Sequence, residues 1–361
     1  MYIADQVQGD SEMDVFSSKG SQTVKPVRAE IDAHNNSVSI PDDLKTRMVP
    51  MEMGKAVGTL LMFPAQGAEK RGMCMSMKGS AEAKAIFERA KEVLGYDLLD
   101  ILLRNDDTLA QKLKSTEFVQ VSLLVSCIAK IEQLRKDRPD LIAKVTHVAG
   151  LSVGEFAALV FAGVIKFEDA LHLVQERGRA MELEVQRSST GMVSVFGIGC
   201  EVLQNYLESN FPNMQISTYL ADNQHTIAGK EHECEALTES LQKKFSEEII
   251  DVRQLRVAGA FHSKYMSNAS QGIDPILNGI EFKRPTLPVI MNASGTIVQD
   301  PQKIKTLLRE QLVKPVQWKR SILTAYEDEV RSFVEVAPAR ILSSIVKNRI
   351  ESNVKIVTLN L

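Results

Sequence analysis

A serine flanked by two glycines is the part of this sequence best suited to chemistry. The segment His147–Glu155 carries the pattern G-x-S-x-G around Ser152, after the apolar run Val145–Ala149 and before a helix-like run, Glu155–Ala162. Glycines let the backbone double back where β-carbons would clash, and the N-terminus of the next helix can stabilise an oxyanion. The spacing predicts a nucleophile elbow, and the alternative is that Ser152 only caps a helix.

A serine hydroxyl needs a base, usually histidine, to act as a nucleophile near neutral pH. His262 follows a predicted strand end and a loop of small residues, where sheet enzymes place catalytic groups. His172 lies within a predicted helix, and His225 and His232 lie in a polar region and are interpreted as surface residues. His262 is therefore the predicted base, with a structural loop histidine as the alternative.

The third member of a serine triad orients the histidine. In α/β-hydrolases it is an acid between the serine and the histidine in sequence. Asp251 has such a position, but it lies in what we interpret as an inserted unit, so the hydrolase order fits poorly. A backbone or amide carbonyl could accept the same hydrogen bond from Nδ1–H.

An arginine beyond the elbow could recognise an anionic substrate. Arg177 lies in a predicted helix, Phe167–Val185, whose inward residues include Leu173 and Val174. A buried guanidinium is costly unless it is paired, and its planar fork matches a carboxylate. The residues alone leave a solvent-facing arginine as the alternative.

Length and composition limit the class of protein. A chain of 361 residues can bury a large core and hold more than one structural unit. The net charge of -3 does not suggest nucleic acid or an anionic membrane as a partner, and no apolar run approaches the roughly 20 residues of a membrane span. The four cysteines are widely spaced and the six histidines show no ligand spacing, so we expect inert thiols and no metal.

The elements that must position these residues alternate between strand and helix, which predicts an α/β fold with a mostly parallel sheet covered on both faces. Residues 189–255 instead follow the order β-α-β-β-α-β, which predicts a small ferredoxin-like subdomain inserted into an α/β-hydrolase-like large domain at 56–188 and 256–361. Outside the inserted unit, strands are predicted at Val57–Phe63, Val145–Ala149, Leu287–Met291 and Val330–Val336, and helices at Ala81–Leu94, Phe118–Leu134, Glu155–Ala162, Phe167–Val185 and Ile341–Val346.

The first 55 residues are polar, acidic and rich in Ser, Asn and Asp, and they are predicted to form a poorly ordered extension. No secretory signal is present. Acidic residues such as Asp5 and Asp10 are unlike a mitochondrial transit peptide, which is Arg-rich and poor in acids.

Five motifs in register resemble the malonyl-CoA:acyl carrier protein transacylase family, especially its mitochondrial form in animals. The resemblance extends from about Leu60 to Leu359. The motifs are the Gln66 loop, the elbow with the following residues to Gly163, Arg177-Gly178 with Met181, Gly259–Ser263, and Gln311-Leu312 before Pro315–Trp318.

The resemblance implies a role for each matching residue. Ser152 would be acylated, and His262 would act as base and then as acid, oriented by the backbone carbonyl of Gln311. Backbone N–H groups of Gln66 and Val153 would form the oxyanion hole.

Three further residues would recognise the substrate. Arg177 would bind the free carboxylate of malonate, and Asn292 would line the site. The bulky Phe261 indicates a preference for malonyl over methylmalonyl groups. The implied reaction moves malonyl from malonyl-CoA to the phosphopantetheine thiol of acyl carrier protein through a malonyl-serine, for fatty-acid synthesis, with no cofactor.

The resemblance also implies partners and a location. The implied partners are malonyl-CoA and an acidic acyl carrier protein, and neither nucleic acid nor a membrane is expected to bind. The protein would be a monomer in the mitochondrial matrix, and the alternative location is the cytoplasm. Candidates for a basic docking patch are Lys243, Lys244, Arg253, Lys283, Arg284, Lys314, Lys319 and Arg320.

Several residues depart from the family pattern, and an alanine at positive φ would cost about 1 kcal/mol or more. The substituted glycines keep open a catalytically weak scaffold that binds acyl carrier protein. A serine thioesterase or esterase, which would have the same elbow, is the other alternative. The departures are Ala65, Ala68-Glu69, Glu117-Phe118, Leu151, Thr218, Leu220 and Ala337-Pro338-Ala339.

Overall fold

The computed structural model describes residues 57–104, 106–247, 251–255, 259–338, 340–347 and 355–360. The predicted extension over residues 1–55 lies outside these ranges, and so does Ala339.

Ten strands and fourteen α-helices occur in these ranges. The strands are β1 Gly58–Phe63, β2 His147–Gly150, β3 Thr190–Phe196, β4 Gln215–Ala221, β5 Gln224–Lys230, β6 Asp251–Leu255, β7 Val289–Met291, β8 Thr296–Val298, β9 Val330–Ala337 and β10 Lys355–Asn360. The helices are α1 Ala81–Leu94, α2 Leu98–Leu103, α3 Asp107–Lys112, α4 Thr116–Asp137, α5 Pro139–Ile142, α6 Gly154–Phe161, α7 Phe167–Arg187, α8 Cys200–Asn210, α9 Glu231–Lys244, α10 Ser267–Gly272, α11 Asp274–Gly279, α12 Pro301–Gln311, α13 Trp318–Glu327 and α14 Leu342–Lys347.

The larger sheet has six strands in the order β10-β9-β1-β2-β7-β8. Neighbouring strands from β10 to β7 are parallel, and β8 pairs with β7 in the antiparallel direction. In the register, Phe63 at the end of β1 lies beside Gly150 at the end of β2. The loops that follow β1, β2 and β7 therefore leave the sheet at one edge.

The smaller sheet has four antiparallel strands in the order β4-β5-β3-β6. Along the chain its elements run β3-α8-β4-β5-α9-β6, which is the predicted β-α-β-β-α-β order. Its core is apolar and includes Val193, Ile227, Leu203 and Leu237. The α/β fold class is confirmed, and the division into domains at 189–255 stays a prediction.

Helix α4 runs through the centre of the fold and is buried over most of its length, from Phe118 to Ile131. It begins where the Ser115 hydroxyl accepts the N–H of Phe118, a standard N-cap. A helix that is apolar on nearly all sides must be covered on nearly all sides, and here α1 and α7 pack against it. The predicted span was short by two residues at the start and by three at the end.

The interpretation of His225 as a surface residue is wrong. Its side chain is fully buried on β5, and its Nε2 lies 3.2 Å from the carbonyl oxygen of Asp222. His225 lies on the same face of β5 as Ile227, which belongs to the apolar core of the smaller sheet, so the residue is covered even though the local sequence is polar. His232 is exposed, as expected.

Candidate active site

The predicted elbow is a tight turn between β2 and α6. Ser152 has a φ of 52°, in the left-handed region. A β-carbon on Gly150 would lie 2.0 Å from the carbonyl carbon of Gly154, and one on Gly154 would lie 2.4 Å from the carbonyl oxygen of Phe63. Both positions therefore require glycine, because backbone fills the space that a side chain would take.

The imidazole of His262 lies between the serine and a backbone carbonyl. Its Nε2 is 2.8 Å from Ser152 Oγ, and its Nδ1 is 2.7 Å from the carbonyl oxygen of Gln311. A carbonyl can only accept, so Nδ1 carries the proton and Nε2 is left to accept from the serine hydroxyl. Gln311 is the last residue of α12, whose terminal carbonyls carry the negative end of the helix dipole.

The environment of His262 favours its neutral form. Burial, followed by the nearby charge of Arg177, lowers the pKa of its imidazole to about 4, although the hydrogen bond to the Gln311 carbonyl acts to raise it. At neutral pH the ring is therefore unprotonated and able to take a proton from Ser152.

Arg177 is fully buried beside Ser152. Its Nη2 lies 2.8 Å from Gln311 Oε1 and 3.3 Å from Ser152 Oγ, and its Nη1 lies 2.5 Å from Gln120 Oε1. Its Cζ lies 5.6 Å from the ring centre of Phe156. Burial lowers the pKa of the guanidinium to about 10, against the influence of Glu155, so it stays charged at neutral pH.

The fully buried side chain of Glu155 links Asn292 and Gln311 behind Ser152. Its Oε1 accepts the backbone N–H of Asn292 at 2.5 Å, and its Oε2 accepts Nε2–H of Gln311 at 2.6 Å. The same Nε2 donates to the Ser152 carbonyl at 3.0 Å. Burial raises the pKa of Glu155 to about 8, although its hydrogen bonds to Asn292 and Gln311 act to lower it.

Asn292 directly follows β7 and is fully buried next to Ser152. Its Oδ1 accepts the Ser152 N–H at 2.7 Å, and its Nδ2 donates to the Gly150 carbonyl at 2.5 Å. Its side-chain atoms thus bond to the backbone of the elbow and hold the left-handed turn of Ser152.

Gln66 and Val153, the expected oxyanion donors, follow two adjacent parallel strands. Gln66 lies in the loop after β1, where its side-chain Nε2 is 3.5 Å from Thr116 Oγ1, and Val153 is the N-cap residue of α6. Ala65, one of the departures in this loop, does not have a positive φ and carries no backbone strain. Phe261 is buried, with 6% of its surface exposed, and directly precedes His262.

The structure adds Gln120 and Glu155 to the site, and neither was assigned a role from the sequence. The available signal was a polar residue in an apolar run: Gln120 lies between Val119 and Val121 on α4, and Glu155 precedes Phe156 on α6. Such residues point to a buried partner, but the sequence does not say which one.

The proposed basic patch is partly neutralised by acidic neighbours. Four of its eight members form ion pairs, which reduces the positive field available to an acidic partner. The pairs are Arg253–Asp251, Lys314–Glu310, Lys319–Asp222 and Arg320–Glu327.

The described residues contain no group of three or more His, Cys, Asp or Glu side chains arranged to hold a metal ion. No helix in the same ranges is both long and apolar enough to cross a membrane.

Comparison with known proteins shows the family. The acyl transferase domain matches residues 60–360. A mouse relative, malonyl-CoA-acyl carrier protein transacylase, mitochondrial, is 33% identical over 303 residues, which are 80% of this chain and 78% of the relative.

Two solved structures have the same fold. An acyl-carrier-protein-S-malonyltransferase from Bartonella henselae gives a TM-score of 0.78 at 26% identity, over 84% of this chain and 96% of that one. A malonyl-transacylase in complex with its type II PKS acyl-carrier protein gives 0.77 at 26% identity, with the same coverage. From the match over residues 60–360, the chain belongs to the acyl transferase domain family.

Proposed function

We propose that this protein transfers a malonyl group from malonyl-CoA to the phosphopantetheine thiol of an acyl carrier protein. The observation that carries the proposal is the position of Arg177, whose buried guanidinium lies 3.3 Å from the hydroxyl of Ser152. A buried cation beside a nucleophile calls for a substrate with its own anion, and malonyl bears a free carboxylate at its far end. The names of the mouse and Bartonella relatives agree with this substrate.

The first half-reaction acylates Ser152. His262 Nε2 takes the hydroxyl proton as Oγ attacks the thioester carbonyl of malonyl-CoA, and the resulting imidazolium is stabilised by the Gln311 carbonyl at 2.7 Å. Backbone N–H groups of Gln66 and Val153 are the proposed donors to the oxyanion. The tetrahedral intermediate collapses when the C–S bond breaks and Nε2–H protonates the departing thiolate of CoA.

The second half-reaction reverses these roles. The phosphopantetheine thiol gives its proton to His262 Nε2 and attacks the malonyl ester, and Ser152 Oγ then leaves with that proton. Because CoA departs before the second thiol enters, the scheme is ping-pong. No step needs a cofactor.

Arg177 supplies the acyl selectivity in this scheme. Malonyl satisfies the guanidinium through its carboxylate, whereas acetyl leaves it buried without an anionic partner. Phe261, buried beside the base, is proposed to limit the space for a methyl branch and so to disfavour methylmalonyl.

The intact mass of the protein after incubation with malonyl-CoA tests the proposal. We expect a malonyl adduct that Ser152→Ala does not form and that added acyl carrier protein discharges. Free malonate released at a rate independent of carrier protein would instead identify a thioesterase. Absence of both adduct and product would leave the scaffold function.

We further propose acyl carrier protein as the macromolecular partner, a monomer as the working unit, and the mitochondrial matrix as its location. The complex of a related malonyl-transacylase with its carrier protein supports the first, and the mitochondrial mouse relative supports the last. Light scattering tests the monomer, and cell fractionation distinguishes the matrix from the cytoplasm.

A further inference from the structure

Gln120 is a buried amide that contacts the guanidinium of Arg177. Only 1% of its surface is exposed, and it projects from the central helix α4. Its Oε1 accepts Nη1–H of Arg177 at 2.5 Å, while its Nε2 lies 3.3 Å from Sδ of Met181. Arg177 and Met181 are one turn apart on α7, so both ends of the amide are anchored to the same helix.

The donors of Arg177 are unequally used. Nη1–H donates a hydrogen bond to Gln120 Oε1, and Nη2–H donates to Gln311 Oε1 and Ser152 Oγ. Nε is buried and has no hydrogen-bond partner among the described residues. The orientation of the guanidinium among the described residues therefore depends on the hydrogen bonds of Nη1 and Nη2.

The partner of Nη1 is a neutral amide, although an acid lies one turn away. Glu117 on the same helix points elsewhere: its carboxylate lies 3.0 Å from Nε of Arg179 and accepts Nε2–H of Gln175 at 3.0 Å. An amide oxygen can orient a guanidinium without neutralising it. A carboxylate in its place would form an ion pair and take up the charge that the substrate needs.

We propose that Gln120 is a positioning residue that sets acyl specificity: it fixes the orientation of Arg177 and leaves its positive charge for the carboxylate of the acyl group. The inference rests on the proposed malonyl transfer. It assigns to α4 a part in substrate selection, through a contact in which Gln120 need not touch the substrate.

The decisive variant is Gln120→Glu, assayed with malonyl-CoA and acetyl-CoA in parallel. The new carboxylate forms an ion pair with Arg177. The malonyl carboxylate therefore loses its cationic partner, and a bound acetyl group no longer leaves the guanidinium without an anion. We expect the ratio of kcat/KM for malonyl-CoA to that for acetyl-CoA to fall at least about tenfold. Most of the change should lie in KM for malonyl-CoA, which a general loss of fold would not produce. Gln133→Glu is the matched control, since Gln133 lies on the same helix and contacts Lys130, and it should leave the ratio unchanged.

A second variant, Gln120→Leu, removes the acceptor without adding a charge. With Nη1 also unsatisfied, the guanidinium is no longer held in place, and we expect KM for malonyl-CoA to rise about tenfold while kcat for acetyl transfer is retained. This variant decides the question if Gln120→Glu does not fold. A ratio within about twofold of wild type in the folded variants would overturn the role of Gln120. Failure of the wild-type protein to form a malonyl adduct would instead overturn the proposed function.

Discussion

Nε2 of His262 lies 2.8 Å from Oγ of Ser152, and both residues have a left-handed backbone, with φ values of 57° and 52°. Residues other than glycine rarely adopt this conformation, which costs roughly 1–3 kcal/mol when the surroundings impose it. The strain thus lies in the backbone of the two residues whose side chains meet. The elbow N–H of Ser152 donates to Asn292 Oδ1, and Nδ1–H of His262 donates to the Gln311 carbonyl, and these hydrogen bonds help to hold the strained conformations.

The pH dependence of acylation should reflect the buried state of His262. Burial, followed by the charge of Arg177, lowers the imidazole pKa to about 4, so the neutral base persists below the usual histidine range. The acid limb of kcat/KM for malonyl-CoA, which reports the free enzyme, should therefore lie well below pH 6.5. A limb at 6.5 would show that the ring is solvated. The same shift stabilises the fold above pH 6.5, and that contribution is lost as the pH falls towards 4.

Arg177→Ala should lose malonyl transfer about a hundredfold or more in kcat/KM and keep or gain acetyl transfer, because the cation proposed to bind the substrate carboxylate is removed. Arg179→Ala is the matched control. That arginine lies on the same helix, is half-exposed and pairs with Glu117 and Glu176. Malonyl kinetics that stay the same in Arg177→Ala would contradict the carboxylate clamp.

Glu155→Gln should lower both activity and stability. Each carboxyl oxygen of Glu155 accepts one N–H, whereas the NH2 group of a glutamine cannot accept and would face one of these donors. We expect kcat to fall about tenfold and thermal denaturation to occur at a lower temperature. Wild-type kcat in this variant would show that the contacts behind the elbow do not position the nucleophile.

The pH dependence of this stability difference has a definite sign. Burial raises the folded-state pKa of Glu155 to about 8 from 4.5, so its contribution is fully present below 4.5 and is lost as the pH rises towards 8. The gap in Tm between wild type and Glu155→Gln should therefore narrow as the pH rises through this window. A gap that widens would mean that the ionised form is the one favoured in the folded protein.

Gly150→Ala should abolish activity and destabilise the fold, because its β-carbon would lie 2.0 Å from the backbone of Gly154. Gly79→Ala is the control, since a β-carbon there has no neighbour within 4 Å and the backbone does not have a positive φ. Circular dichroism melting and adduct formation measure both effects. An active Gly150→Ala protein would mean that the turn is looser than the structure shows.

The sequence predicted the parts of this molecule that depend on local pattern. The G-x-S-x-G spacing and the change to a β-α-β-β-α-β order both lie in short segments. The elbow at Ser152 and the order of the elements along the chain in the smaller unit could therefore be predicted. Helix α12 was missed although it has a start signal, Asp300 followed by Pro301, because the segment is polar and its apolar face is narrow.

The contacts that join distant segments could not be predicted from pattern alone. The acceptor for His262 is a backbone carbonyl, which any residue could supply, and only the family resemblance pointed to Gln311. The roles of Gln120 and Glu155 depend on how α4, α7 and α12 pack. A single polar residue in an apolar segment does not identify the residue that it will contact. The prediction for His225 failed for the same reason, because its burial depends on the core that other elements of the smaller sheet build on that face of β5.

Gln311 makes four hydrogen bonds at once: its backbone oxygen accepts from His262, its side-chain oxygen accepts from Arg177, and its amide nitrogen donates to Glu155 and to the Ser152 carbonyl. The base, the clamp and the elbow are therefore mechanically joined at the tip of one helix. If α12 detached, the three would lose alignment together. Partial damage to this region should thus yield a mixture of fully working and fully inert molecules rather than a uniform population of slow ones.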